Sequence, residues 1–181
     1  MTDFPTVYWP EWDMDATFLP GEHLPLASQG HLWAVLVHAY YGDQVVLADI
    51  VGRGVTIPSG RIEPGETIDE AVVREVYEET GGRLHETQRH LIGCHLTTRR
   101  SGQDAGVTKY SPVFVAEVVH FDPVPEGSES RGFILLPPEA IAEQYYMWDD
   151  LLAAEFTYAL QRKEELMPSG IDLKDVTEDL S

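Results

Sequence analysis

The sequence predicts an α+β domain built around a mixed sheet. The first observation is the order of elements: strand-like runs lie before and after one amphipathic segment, and a second helical segment follows them. The second is composition, because hydrophobic residues make up 43 % of the 181 residues, enough for one domain to bury a sizeable core. No apolar run approaches the ~18 residues of a membrane span, so we expect no membrane partner.

The first 30 residues are predicted to form an extended arm ahead of a domain at residues 31–166. Prolines at this density prevent a regular helix, and the aromatic side chains are too apolar to remain in water. Two interpretations stay open for the arm. It is an edge strand or strap packed on its own domain, or it forms a homodimer contact or a wall of the ligand pocket. Residues 167–181 are predicted to be a short, acidic, mobile tail. The arm's aromatic residues are Phe4, Tyr8, Trp9, Trp12 and Phe18, and its prolines are Pro5, Pro10, Pro20 and Pro25.

Runs rich in β-branched and aromatic residues predict six strands in the domain. The turn Gly42-Asp43 joins the first two strands, and a loop from Ser59 to Glu66 follows the third. A helical region with an apolar stripe extends from Pro138 to about Leu166. The predicted strands are His31–Tyr41, Gln44–Val51, Val55–Pro58, His90–Thr98, Tyr110–His120 and Gly132–Leu136.

Thr67–Thr80 is predicted to be a helix with defined ends. Thr67 is a suitable N-cap, and Glu70 three residues later completes a capping box. Gly81 follows the last apolar position, where glycine commonly ends a helix. The apolar stripe of this helix predicts that one side is buried against the sheet.

An acidic face accompanies that stripe. Glu75, Glu78 and Glu79 stand at i, i+3 and i+4, so they share one face of the helix. The glutamates repel one another, and they also lie near the negative end of the helix dipole. Together these two effects cost only about 1–2 kcal/mol, which a solvated acidic face tolerates. The loop before the helix favours a second interpretation, because Gly60 and Gly65 let the backbone approach a ligand. Hard oxygen donors beside such a loop suit Mg²⁺ or Mn²⁺.

The charge of the chain excludes other functions. The formal net charge is −19, so most of the surface repels nucleic acid and anionic membranes, and we expect no nucleic acid as a stable partner. Phosphate-bearing ligands therefore need local cations or a bound metal. Cys94 is the only cysteine, which rules out an internal disulfide and a cysteine zinc cage within the chain. The first residues lack the pattern of a secretory signal, so we expect a cytoplasmic protein.

The segment from Gly60 to Gly82 resembles the signature of the Nudix hydrolases. The residues that carry the resemblance are Gly60, Glu66, Arg74-Glu75-Val76, Glu78-Glu79 and Gly81, all at the spacing of the signature. Gly82 departs from it, because a bulky apolar residue is usual there. The resemblance implies a Nudix-type α-β-α sandwich with a mixed central sheet.

The resemblance also implies an activity, namely metal-dependent hydrolysis of a nucleoside diphosphate linked to another group. Glu78 and Glu79 are then the metal ligands, and Glu75 is a further ligand or the general base. The carbonyl of Gly60 is a candidate ligand. Arg74 would hold the glutamates by charge-assisted hydrogen bonds, unless it is an ordinary surface cation paired with a helix neighbour. Two loop glutamates have lesser roles, Glu66 as a partner of the loop or of Arg74, and Glu63 as an indirect metal contact.

Several candidates lie outside the signature. A loop late in the sheet offers a further base or ligand, for which Glu129 is the first choice and Glu126 the second; a solvated acidic loop is the alternative. Arg53, Arg99 and Arg100 are candidate phosphate clamps in this acidic chain, unless the arginine pair simply occupies a loop.

The sequence leaves the substrate open between a nucleotide sugar and a nucleoside di- or triphosphate. A catalytically silent nucleotide-binding or regulatory module of the same fold is the alternative function. Such modules lose one or more of the signature carboxylates, and this chain keeps them all. The resemblance adds a homodimer as a candidate assembly, because members of the family are often homodimers.

Overall fold

A computed structural model describes residues 4–25, 28 and 30–168, so the acidic tail from residue 169 onward lies outside the described residues. The helices are α1 (Ile68–Thr80), α2 (Ile141–Gln144) and α3 (Asp150–Leu166), and a 3-10 turn at Pro138–Ala140 leads into α2. The strands are β1 (Val7–Trp9), β2 (Met14–Pro20), β3 (His31–Leu32), β4 (Ala34–Tyr41), β5 (Gln44–Ile50), β6 (Gly54–Thr56), β7 (Ser59–Arg61), β8 (Gly82–Arg99), β9 (Thr108–Phe121) and β10 (Ser130–Leu136).

The strands form one mixed sheet in the order β1-β2-β8-β9-β4-β5-β10, with β3 beside β9, β6 beside β5 and β7 beside β4. Strand β9 runs parallel to β4 and to β3, and antiparallel to β8. The predicted mixed sheet is therefore confirmed. None of the described helices combines the length and the apolar character that a membrane crossing requires.

Helices cover both faces of the sheet. Along β5 the side chains alternate, so that Val46 packs with α1 while Val45 and Leu47 pack with α3. The α1 side is closed by Val72 and Val76. This arrangement is an α-β-α sandwich, as the resemblance implied.

Helix α1 has the ends that the sequence predicts. Thr67 accepts a hydrogen bond from the Glu70 backbone N–H, and the Glu70 carboxylate accepts one from the Thr67 backbone N–H. Gly81 ends the helix with a φ of 70°, and its N–H donates to the Tyr77 carbonyl. Gly82 then starts β8, where an added Cβ would press on the Thr80 hydroxyl, so the absence of a bulky residue fits the local packing.

Several predicted boundaries were wrong. The strand predicted at His31–Tyr41 is interrupted at Trp33 and forms β3 and β4. Three other differences change an element. Strand β8 begins at Gly82 instead of residue 90, because register shifts around residues 84–89 break its alternating pattern. The start of the predicted loop is strand β7, whose Gly60 pairs with Val35 of β4. The C-terminal helical region is interrupted, because residues 145–149 lie outside α2 and α3.

The N-terminal segment packs on its own chain. Strand β2 pairs with β8 over seven residues, from Met14 opposite Arg99 to Pro20 opposite Gly93. The ring of Phe4 lies 5.6 Å from that of Tyr158 on α3. The segment thus contributes edge strands to the sheet, while a homodimer contact and the division of the chain into arm, domain and tail stay predictions.

Candidate active site

The acidic face of α1 opens into a cavity of about 350 Å³. Glu75, Glu78 and Glu79 line it from the helix, and Glu126 and Glu129 line it from the connection between β9 and β10. We call this space the acidic cavity. The structure therefore brings together the predicted helix glutamates and both candidates from the late loop.

Arg74 ties these carboxylates to the preceding loop. Its guanidinium donates to both oxygens of Glu66 at 2.6 and 2.9 Å, and also to Glu75 at 2.7 Å and Glu78 at 3.2 Å. A further bond reaches the carbonyl of Arg61 at 2.9 Å. These contacts raise the pKa of Arg74, chiefly through Glu66, and Arg74 lowers the pKa of Glu66. Arg74 thus orients the acidic face, which an isolated surface cation would not do.

Gly60 packs directly against the carboxylate of Glu75. A Cβ added at Gly60 would collide with both carboxylate oxygens, although the backbone angles of Gly60 do not themselves require glycine. Glycine therefore allows the β7 backbone and this carboxylate to lie in contact. The Gly60 carbonyl and the helix glutamates are oxygen donors of the kind that Mg²⁺ and Mn²⁺ prefer.

Glu79 also points toward β7. It accepts a hydrogen bond from the Ser59 backbone N–H at 3.0 Å. Burial raises the pKa of Glu79 to about 7 despite that bond, and the neighbouring carboxylate of Glu75 adds to the rise. Burial also raises the pKa of Glu75, against the opposing effect of Arg74. Partly buried carboxylates of this kind favour a nearby cation.

The loop that carries Glu126 and Glu129 is fixed to α1. The hydroxyl of Ser128 donates to the Glu78 carbonyl at 2.7 Å, and the Glu129 carbonyl accepts from the Val51 N–H at 2.9 Å. Among the described residues, no three His, Cys, Asp or Glu side chains converge as metal ligands; Arg74 bonds to Glu75 and Glu78, and the Ser59 N–H bonds to Glu79. The carboxylate oxygens of the acidic cavity are nevertheless the type of ligand that a hard divalent cation prefers.

A second cavity, of about 540 Å³, borders β7. Ser59 and Gly60 line it, so the strand that contacts the acidic face also borders this space. Trp9, Trp12 and Trp33 contribute aromatic walls. We call it the basic cavity, because its charged lining residues are Arg53, Arg61, Arg99 and Lys109, and no described Asp or Glu lines it.

These four cations differ from the others that the structure describes. Each of the other described Lys and Arg residues forms an ion pair with a carboxylate, whereas the four that line the basic cavity form none with a described residue. In a chain with a net charge of −19, four such cations around one cavity make it a candidate site for an anion.

The two neighbouring arginines predicted as clamps have different surroundings. Arg99 lines the basic cavity. Arg100 instead pairs with Asp15 at 2.6 Å and lies 3.9 Å from the ring centre of Tyr8, so the structure does not bring it to either cavity. Successive residues at the end of a strand point in different directions, which separates the two.

Comparison with known proteins identifies the family. The sequence profile of the NUDIX domain matches residues 30–156, more than half of the chain. The chain belongs to the Nudix family. A 57-residue segment is 39 % identical to the "Putative 8-oxo-dGTP diphosphatase YtkD" of Bacillus subtilis (strain 168), covering 32 % of this chain and 34 % of that protein. A 97-residue segment is 34 % identical to the "Putative nudix hydrolase 1" of Caenorhabditis elegans, covering 54 % of this chain and 21 % of that protein.

Solved Nudix structures share the fold. A mutant of the Bacillus subtilis pyrophosphohydrolase BsRppH superposes with a TM-score of 0.68 at 19 % identity, over 90 % of this chain and 99 % of that one. A NUDIX hydrolase from Nitrosomonas europaea gives a TM-score of 0.55 at 26 % identity, over 72 % and 89 % of the two chains. The Nudix fold is therefore shown, and the aligned segments span about a third and a fifth of the two curated relatives.

Sequence reasoning missed two cations and one aromatic residue that line the basic cavity. Arg61 and Lys109 both lie over the Trp33 ring, at 4.6 and 3.5 Å from its centre. They meet there because β7 pairs with β4 and β3 pairs with β9. Arg61 adjoins the signature glycine and could have been considered on that ground, whereas no local pattern marks Lys109.

Proposed function

We propose that the chain is a metal-dependent Nudix hydrolase that cleaves a phosphoric anhydride bond of a nucleotide by attack of water on phosphorus. The observation that carries the proposal is a pair of neighbouring cavities, because Ser59 and Gly60 line the basic cavity and contact Glu79 and Glu75 of the acidic cavity. One offers carboxylates for a divalent cation, and the other offers cations and indole rings for a phosphorylated aromatic ligand. A nucleotide sugar and a nucleoside di- or triphosphate both have this chemistry.

The acidic cavity fits Mg²⁺ or Mn²⁺ through the carboxylates of Glu75, Glu78 and Glu79. Glu129 is a further oxygen donor in the same space, and Gly60, whose carbonyl is the remaining candidate ligand, contacts the Glu75 carboxylate. A divalent cation, when bound, supplies Lewis-acid polarisation of the phosphate and activation of water. Arg74 keeps the helix carboxylates in place through its bonds to Glu75 and Glu78.

The remaining steps belong to the chain's own side chains. The cations of the basic cavity bind the phosphates and the departing group, so that the reacting phosphorus faces α1. A carboxylate of the acidic cavity accepts a proton from the attacking water, and the candidates for this base are Glu75, Glu129 and, as the second choice in the loop, Glu126. As the new phosphorus–oxygen bond forms, the bridging anhydride bond breaks and the leaving phosphate departs with its electron pair. The cytoplasmic location and the homodimer stay predictions.

A panel of nucleotides tests the proposal. The protein is incubated in Mg²⁺ or Mn²⁺ with nucleotide sugars and with nucleoside di- and triphosphates. The panel includes 8-oxo-dGTP because of the name of YtkD. We expect release of phosphate, pyrophosphate or a nucleoside monophosphate from at least one class, and none in excess EDTA. Binding without any turnover would instead identify a silent module.

Replacing Arg99 with glutamine should raise KM about tenfold, which is equivalent to about 1.4 kcal/mol, and should change kcat little. The reason is that Arg99 lines the basic cavity and would bind the phosphate charge equally in the ground state and in the transition state. Arg100→Gln is the matched control, since its guanidinium pairs with Asp15. Steady-state kinetics on the preferred nucleotide measure both variants. If the two variants changed KM equally, Arg99 would not be part of the nucleotide site.

Adding Mg²⁺ or Mn²⁺ should raise the melting temperature, because a ligand that binds only the folded state stabilises it, by about 2.7 kcal/mol at 100 times its Kd. Glu78→Ala should remove most of that rise, whereas Glu143→Ala, an exposed change outside the site, should leave it intact. Scanning calorimetry with and without metal gives the answer. A melting temperature that saturating metal does not move would contradict the metal site.

A further inference from the structure

One indole ring of the basic cavity contacts two cations. The Nζ atom of Lys109 lies 3.5 Å from the centre of the Trp33 ring, and the guanidinium carbon of Arg61 lies 4.6 Å from it. Both distances are within the ~6 Å over which an aromatic face attracts a cation. Neither cation forms an ion pair with a described carboxylate. Among the described residues, the Trp33 ring is therefore the group that stabilises both cations.

Backbone pairing brings the ring and the two cations together. The Trp33 N–H donates to the carbonyl of Tyr110 at 3.0 Å, and Tyr110 directly follows Lys109 in β9. The Trp33 carbonyl accepts from the N–H of Ile62 at 3.2 Å, and Ile62 directly follows Arg61 of β7. The residue between β3 and β4 is thus bonded to both segments that carry the cations. Its position is set by the fold before any ligand binds.

The ring differs from a carboxylate in the charge that it leaves to a ligand. Arg100 shows the contrasting case, because its pairing with Asp15 at 2.6 Å neutralises its charge. An indole attracts a cation through the quadrupole of its face and carries no net charge. Lys109 and Arg61 therefore keep their positive charges although they lie at the same ring and repel each other. In a chain with a net charge of −19, two such charges favour the binding of a phosphate group.

Strand β7 connects this pair of cations to the acidic cavity. Arg61 directly follows Gly60, which contacts the Glu75 carboxylate. The Arg61 carbonyl accepts a hydrogen bond from Arg74 at 2.9 Å, while the Arg61 residue also lines the basic cavity. The strand that contacts the helix carboxylates therefore also carries one of the two cations.

We propose that Trp33 is the positioning residue of a phosphate clamp formed by Arg61 and Lys109. Trp33 holds both cations at one ring without neutralising them, and the cations bind the phosphate groups of the ligand. A ring in this role affects every phosphate ligand, whereas a ring that stacks on a base affects only ligands that have a base. The inference rests on the proposed function, since it assigns phosphate binding in the same site to three side chains.

Trp33→Leu tests the inference with inorganic tripolyphosphate, a probe that has phosphate groups and no base. Leucine keeps apolar bulk but removes the aromatic face, so the two cations lose the partner that they share. Affinity for tripolyphosphate should fall about tenfold, which is equivalent to about 1.4 kcal/mol. Trp33→Phe keeps an aromatic face and should lose less than about threefold. Since Trp33 is 37 % exposed, the melting temperature should change little in either variant.

The measurement is calorimetric titration of the intact chain in EDTA, so that no metal ion contributes to the affinity. Tyr41→Leu is the matched control, because Tyr41 is an aromatic residue of β4 that is 44 % exposed and lines neither cavity. Its affinity for tripolyphosphate should equal that of the wild type.

A double-mutant cycle distinguishes positioning from a purely structural role. Lys109→Gln alone should weaken tripolyphosphate binding about tenfold. In a Trp33→Leu background the same change should cost less than about threefold, because a cation that is no longer held at the ring contributes little.

Three results would overturn the inference: equal affinities of Trp33→Leu and Trp33→Phe, the same loss from Lys109→Gln in both backgrounds, or a wild-type chain that does not bind tripolyphosphate. Each differs from a failure of the proposed function, which the nucleotide panel measures as turnover. A chain that binds tripolyphosphate through the clamp but cleaves no nucleotide would refute the proposed function alone. A chain that cleaves nucleotides, and whose Trp33→Leu variant binds tripolyphosphate as well as the wild type does, would refute this inference alone.

Discussion

Replacing Glu79 with glutamine is expected to lower kcat by about two to four orders of magnitude while the fold stays intact. The effect is large because the change removes one charge from the carboxylates that would hold the cation, and such groups act at the reacting phosphate itself. The fold should tolerate the change, since the amide oxygen can still accept the Ser59 N–H and a neutral side chain is easier to bury. Steady-state kinetics at saturating metal and the melting temperature measure the two effects.

Glu143→Gln is the control for this prediction, because it removes the same charge at an exposed position of α2. Its kcat should equal that of the wild type. Undiminished turnover in Glu79→Gln would show that Glu79 is not part of the metal site. Unfolding of that variant would show that Glu79 has a structural role.

Gly60→Ala is expected to reduce kcat about a hundredfold with a smaller effect on stability. The added Cβ would collide with the Glu75 carboxylate. This carboxylate is the far end of a flexible side chain, so it can move away. That movement would break its 2.7 Å bond to Arg74 and displace a carboxylate by about 1 Å, a shift of the size that can cost a hundredfold in rate. Kinetics and thermal unfolding of the purified variant check both parts.

A double-mutant cycle provides the control. In a Glu75→Ala background the collision partner is gone, so adding Gly60→Ala should change kcat less than threefold, about 0.6 kcal/mol or less. If Gly60→Ala lowered kcat by the same factor in both backgrounds, the contact between glycine and carboxylate would not be the cause. Another feature of β7 would then have to explain the effect.

Local sequence patterns predicted α1 and its acidic face well. The capping pair Thr67 and Glu70 and the terminal Gly81 depend on residues a few positions apart, and the structure has all three in the expected roles. The shared face of Glu75, Glu78 and Glu79 likewise follows from helical periodicity alone. The start of β8 could not be predicted in this way, because register shifts interrupt its alternation.

The basic cavity depends on pairing between distant segments, which one sequence does not reveal. Lys109 reaches Trp33 because β3 pairs with β9, and Trp9 reaches the cavity because β2 pairs with β8 and carries β1. For the same reason, the sequence does not reveal whether Arg99 or Arg100 lines the cavity. They are neighbours in sequence, and only the pairing of β8 determines which of the two lines the cavity.

Ser59 and Gly60 of β7 connect the two halves of the proposed site. The Ser59 N–H binds Glu79, Gly60 contacts Glu75, and both residues line the basic cavity. A change at either residue should therefore affect metal affinity and nucleotide affinity together, whereas Arg99 affects nucleotide affinity alone.

Hydrolysis in water enriched in ¹⁸O tests the central claim most directly. The preferred nucleotide from the panel is turned over with Mg²⁺, and the products are analysed by mass spectrometry. The account predicts one ¹⁸O atom in one phosphate-bearing product of each turnover, and no product in excess EDTA. Products without the label, or labelled products formed equally well in EDTA, would contradict metal-assisted attack of water on phosphorus.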